Sequence, residues 1–213
     1  MSVLRTLAVT ATAVVVTIPI AGATAAHAGS THHQARGHHA AAGAKASTPI
    51  IVLKSGTTRL TLDKGTAGAL TANGVAVAPV SEAKASAAGI SFPIQGGRIN
   101  GKSLGGTITH SGGLKFTAGG KSLTIRDFTV STTKGTLTAW VDEVGARIPV
   151  LNLKLGKAKV KLTAKHLTVS GIQATLQKGA AQALNGFFST NLFTVGLPIG
   201  KVVVNASVTV LHH

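Results

Sequence analysis

The side chains of this sequence that could do chemistry are few, and they do not converge. Its acids are Asp63, Glu82, Asp127, Asp142 and Glu143. Only Asp142 and Glu143 adjoin, and neighbours on a strand point to opposite faces, so they cannot form a two-carboxylate acid/base site. No Gly-x-Ser-x-Gly elbow or phosphate-cradling loop occurs, and without a single Cys there is no thiol nucleophile. These features argue against an enzyme. Histidine is the remaining candidate. His110 ends an apolar run and precedes Ser111-Gly112-Gly113-Leu114, a turn that can present an imidazole at the rim of a domain. His166 falls in phase with Ala164 on an apolar face, which predicts a buried histidine with its polar atoms satisfied. His32-His33 and His38-His39 are pairs of a kind that can hold transition metals. They sit in a segment without apolar periodicity and read as incidental to a spacer.

The elements that must position these residues begin with a leader. Arg5, the uncharged stretch Leu7 to Ile20 and Ala26-His27-Ala28 make the three parts of a cleavable signal peptide over residues 1–28. The apolar stretch runs for about 14 residues, where a membrane span needs roughly 20. No later segment is long and apolar enough to span either, so a secreted product without a transmembrane segment is expected. Residues 29–49, rich in Ala, Gly, Ser and His, read as a disordered linker. The net charge of +16 favours anionic partners, of which cell-wall polymers and membrane headgroups suit an exported protein better than nucleic acid. With six Phe, one Trp and no Tyr, stacking on nucleic-acid bases has little support.

From Ile50 onward, short apolar runs recur at roughly ten-residue spacing, punctuated by Ser55-Gly56, Gly96-Gly97, Gly112-Gly113 and Gly119-Gly120. This predicts a single all-β domain over residues 50–213, an antiparallel sandwich or a barrel-like form. One stretch breaks the rhythm. Leu176, Ala180, Ala183, Leu184 and Phe187 stand at helical spacing, which predicts one short helix near residues 175–188. Lys157, Lys159, Lys161 and Lys165 alternate with Ala158, Val160, Leu162 and Ala164. Period two puts the lysines on one strand face, where they solvate an edge or form a basic strip for an envelope polymer. Asn205-Ala206-Ser207 matches a glycosylation triplet but lies within a strand pattern.

The order of these features resembles the HtaA-type haem-binding domain of secreted and envelope proteins in high-GC Gram-positive bacteria. The resemblance covers roughly Thr57 to Asn205. It is carried by Leu60-Thr-Leu-Asp63, Ile90-Ser-Phe-Pro-Ile94, Thr109-His110-Ser111-Gly112-Gly113-Leu114 and Leu123-Thr-Ile-Arg-Asp-Phe-Thr-Val130. Gly135-Thr-Leu-Thr-Ala139 follows. The most specific marker is Ser170-Gly-Ile-Gln-Ala-Thr-Leu176 followed by Ala183-Leu184-Asn185-Gly186-Phe187-Phe188.

The resemblance implies haem as cofactor and a site built from an axial Tyr, a His that hydrogen-bonds it and an aromatic pair. His110 matches the His, and Phe187 and Phe188 match the aromatic pair. The axial Tyr falls near Ala69, and this chain has no Tyr there or elsewhere. A phenolate binds ferric haem through an anionic oxygen, which Ala lacks. Two readings follow. In one, His110 itself ligates the iron, with Phe187 and Phe188 stacking on the porphyrin. In the other, the fold persists without the cofactor and the two Phe are ordinary core. The functional expectation is a secreted HtaA-like binding domain at the cell envelope, for haem or a related planar ligand. The alternative is a structural or adhesive envelope protein that holds anionic cell-wall polymers through its basic surface.

Overall fold

The computed structural model describes residues 48–212. The expected signal peptide, the two His pairs and all but the end of the expected linker lie outside the described residues. In chain order the elements are β1 (Ile50–Leu62), α1 (Lys64–Ala72), β2 (Ala76–Val80), β3 (Lys84–Ser86), β4 (Gly89–Asn100), β5 (Gly106–His110), β6 (Gly113–Ala118) and β7 (Lys121–Ser131). There follow β8 (Thr136–Val141), β9 (Ala146–Lys154), β10 (Lys159–Leu162), β11 (His166–Leu176), α2 (Lys178–Phe188) and β12 (Pro198–Leu211). No helix among the described residues is long and apolar enough to cross a membrane.

Eight of the strands close into an antiparallel barrel in the order β7-β5-β4-β1-β12-β11-β9-β8, the last pairing back onto β7. The expected all-β class is therefore realised as its barrel-like form. Alternation drives it. On β12, Val204, Ala206 and Val208 are buried at every second position, and on β1 Ile51 and Leu53 are 0% and 2% exposed. β7 is shared among three neighbours. Its Lys121–Arg126 half pairs with β6, Thr129 to Ser131 pair with β5, and β8 runs along the other edge. The hand-over falls at Asp127, whose φ of 55° breaks the pleat.

Two glycine signals read as turns are bulges inside long strands. β1 runs unbroken through Ser55-Gly56, with its register slipping between Leu53 and Ser55, and β4 runs through Gly96-Gly97 with a slip after Ile94. An extra residue bends a strand without ending it, which curvature into a barrel requires. The Ser111-Gly112 turn is real: Gly112 has φ of 79°, and a Cβ there would meet the Ala83 nitrogen at 2.5 Å.

The expected helix is α2, and a second helix, α1, follows β1, where the sequence had suggested only strands and turns. Asp63 caps α1, its carboxylate accepting from the Thr66 N–H at 3.1 Å. Both helices follow strand ends at the same end of the barrel, α1 after β1 and α2 after β11. Their buried residues, Thr66 and Leu70 on α1 and Ala180, Ala181 and Leu184 on α2, face inward. His166 is exposed rather than buried. Residues 163–165 turn the chain between β10 and β11, which resets the phase, and Leu167 at 1% exposure takes the inward position. Asp142 and Glu143 lie in the β8–β9 turn rather than on a strand. Asp142 holds Arg126 Nε at 2.7 Å, and Glu143 accepts from the Thr124 N–H.

Candidate functional site

Closing a sheet of eight strands leaves an interior that side chains fill or that holds one small ligand. Here it is not filled. A cavity of about 490 Å³ runs along the lumen, within the range of small-molecule sites. Nearly every lining side chain is aliphatic or aromatic, because each strand contributes its inward-facing set. Thr58, Thr66, Ser103, His110 and Thr132 are the polar side chains on the lining.

His110 closes β5 with its ring turned inward, 5% exposed, and not at the rim. Its Nε2 lies 2.7 Å from Thr58 Oγ1 on β1. Its Nδ1 is buried without a hydrogen-bond partner. Burial pushes the imidazole pKa down from 6.5 to about 4; the nearby Phe128 backbone, short of hydrogen-bond geometry, offsets this only in part. The ring is therefore neutral at physiological pH, with one nitrogen committed to Thr58. Phe92 and Phe128, both buried, meet edge to face beside it with centroids 5.0 Å apart, and both line the lumen.

The residues expected at the site are only partly gathered there. Phe187 and Phe188 do form an aromatic pair, edge to face at 5.0 Å, near the end of α2. They are half-buried against the core and do not line the lumen with His110. Ala69 is half-buried, and α1 turns Thr66 and Leu70, not Ala69, into the lumen. Phe193, five residues beyond Phe188, lines the lumen at 4% exposure. Its backbone is held from both sides by the Asn185 amide, at 2.8 and 2.9 Å. Sequence reasoning missed Phe92, Phe128 and Phe193. The first two stand at buried phases of β4 and β7, a position that periodicity alone shows as core.

The lumen has two unlike ends. Where the helices stand, Thr66, Leu70, Ala180, Leu184 and Phe193 on the lining are buried, and Leu62, Ala183 and Ile199 are partly exposed. At the opposite end Leu104, Leu137, Leu155 and Ala158 are partly exposed, and Val160 is 40% exposed. That end is bordered by the β4–β5 and β7–β8 turns and by the chain entering β10. The described residues hold no group of three or more His, Cys, Asp or Glu able to bind a metal ion together.

Residues 64–193 match the model of the HtaA family. Among solved structures, the chain is similar to the C-terminal domain of HtaA from Corynebacterium glutamicum, with 16% identity and a TM-score of 0.56 over 74% of this chain and 99% of that one. Weaker likenesses are to the N-terminal domain of the same protein (13% identity, TM-score 0.48, 73% and 97% covered) and to the heme binding protein HtaB of that organism (11%, 0.44, 77% and 98%). No curated protein matches the chain in sequence.

Proposed function

The chain belongs to the HtaA family, and from that membership and the shape of the lumen we propose that it is an exported, non-catalytic binding domain that carries a hydrophobic ligand inside its barrel. The observation that supports this most is the apolar lumen of about 490 Å³ enclosed by the inward-facing side chains of the barrel. The leader over residues 1–28 supports export. The isolated carboxylates, each engaged with a local partner or exposed, support a binding role over catalysis.

Haem is the ligand that family membership suggests, and the residues answer for it one by one. The phenolate has no counterpart, since Thr66 and Leu70 occupy the lumen face of α1. Phe187 and Phe188 stand outside the lumen. The family's way of holding iron therefore does not fit this chain. His110 is the one lumen side chain with a nitrogen for iron, and Nδ1 is the nitrogen without a partner, Nε2 being committed to Thr58. A haem carried here is held through His110 and by packing against Phe92 and Phe128.

Hemin titration of the purified chain, followed at the Soret band, tests this. A red-shifted band that His110→Ala removes, while Phe187→Ala leaves it in place, is the expected result for haem in the lumen. A band indifferent to His110→Ala would put the haem elsewhere on the molecule.

A further inference from the structure

We propose that the lumen takes a long-chain carboxylic acid, tail first, with its carboxylate held among the lysines at the loop end of the barrel. This rests on the reading above that the lumen is the ligand site.

The lumen has a floor and a mouth. Its helix end is covered by α1 and α2, whose Thr66, Leu70, Ala180 and Leu184 are buried against it, and no helix covers its loop end, where Val160 is 40% exposed, so a ligand enters past Leu104, Leu137, Leu155 and Val160. The stretches bordering that mouth are residues 101–105, 132–135 and 154–162. They carry Lys102, Lys134, Lys154, Lys157, Lys159 and Lys161, every one exposed, and no acid. The chain's carboxylates belong to other segments: Asp63 at the start of α1, Glu82 between β2 and β3, Asp127 within β7, and Asp142 and Glu143 between β8 and β9. The ion pairs among the described residues are those of Arg126 with Asp127 and Asp142. The mouth lysines thus have no carboxylate partner among them.

The interior fixes the orientation. It offers no cation, and its one imidazole is neutral, so a carboxylate taken to the floor would be buried unpaired at heavy cost. Left at the mouth, the same carboxylate stays hydrated, beside the stretches of chain that carry the six exposed lysines. A flexible apolar tail also suits the narrow interior of an eight-stranded barrel. Val160 on β10 extends the apolar lining outward between Lys159 and Lys161, so the doorway is apolar inside and cationic outside.

The test uses cis-parinaric acid, a fluorescent long-chain acid, its methyl ester and hemin as probes of the purified full chain. The acid is expected to bind with one site per chain, more weakly as salt is raised. Lys157→Glu with Lys159→Glu should weaken the acid about tenfold and leave the ester unchanged, since each exposed pairing is modest and two are reversed. Leu155→Trp at the partly exposed mouth should block both lipids while leaving the melting temperature near its original value. Equal binding of acid and ester, indifferent to the lysine changes, would overturn the carboxylate's placement and leave the lumen as the site. Lipid binding that survives Leu155→Trp would overturn the proposal by moving the site off the lumen. If hemin binds through His110 and the acid does not bind at all, haem is the occupant and the proposal fails. Failure of all three probes would instead defeat the reading of the lumen as a ligand site.

Discussion

At the helix end of the barrel, α1, α2 and Phe193 cover the lumen, and the acids nearby have partners. Asp63 accepts from the Thr66 N–H at 3.1 Å, Asp142 holds Arg126 Nε at 2.7 Å, and Glu143 accepts from the Thr124 N–H at 2.9 Å. At the loop end, short turns and the short edge strand β10 leave apolar residues partly exposed beside lysines that no acid answers. The same lumen is therefore finished at one end for stability and left open at the other. The contrast separates two kinds of residue that look alike in a sequence: apolar side chains sealed into the core and apolar side chains that border an opening.

Breaking the contrast should produce its largest effect at the covered end. Phe193→Ala removes a 4%-exposed ring from the floor and is expected to cost about 3–5 kcal/mol in urea unfolding. Leu155→Ala at the mouth, where water already reaches the side chain, should cost well under half of that. Equal losses at the two positions would mean that the mouth is as closely packed as the floor.

The next effect sharpens the contrast through pH. His110 is held neutral, near pKa 4 when folded against 6.5 when unfolded, so the unfolded chain binds its proton first as pH falls. The resulting stability is complete above pH 6.5 and is lost as pH falls from 6.5 to 4, to a total of about 3 kcal/mol. Urea midpoints across that window should therefore fall more steeply for the original chain than for His110→Gln, which has no proton to gain. Parallel slopes would show that the ring is hydrated. The smallest effect is at the cap. Asp63→Ala should cost about 1 kcal/mol by leaving the Thr66 N–H of α1 without its acceptor, a loss readable as a small downward shift in melting temperature.

Strand content, antiparallel pairing and α2 were legible because period-two and period-3.6 patterns survive in a single sequence. α1 was not. Its Lys64-Gly-Thr-Ala-Gly-Ala-Leu-Thr-Ala72 has two Gly and two Thr, all weak helix formers, and only Leu70 as a large apolar residue. The cap at Asp63 and the Asn73-Gly74 exit were its only marks. The site was legible at His110 but not in its burial, because the turn after it suggested a rim, whereas the inward phase of β5 decides where the ring points. The resemblance pointed to Phe187 and Phe188, yet Phe193 reaches the lumen because the Asn185 amide folds the following loop back beneath the barrel. Such a contact depends on a hydrogen bond across eight residues that no local pattern announces.

The pairing of β1 with β12 joins Ile50 to Leu211, which sets an order of events as the chain is made. β1 emerges first and β4 can pair along one of its edges at once, but its other edge stays bare until the last strand arrives. The ring thus cannot close on a partial chain, and loop-closure entropy over nearly the whole domain must be met in that final step. A domain that locks only with its last strand remains threadable until then, which suits the export proposed above.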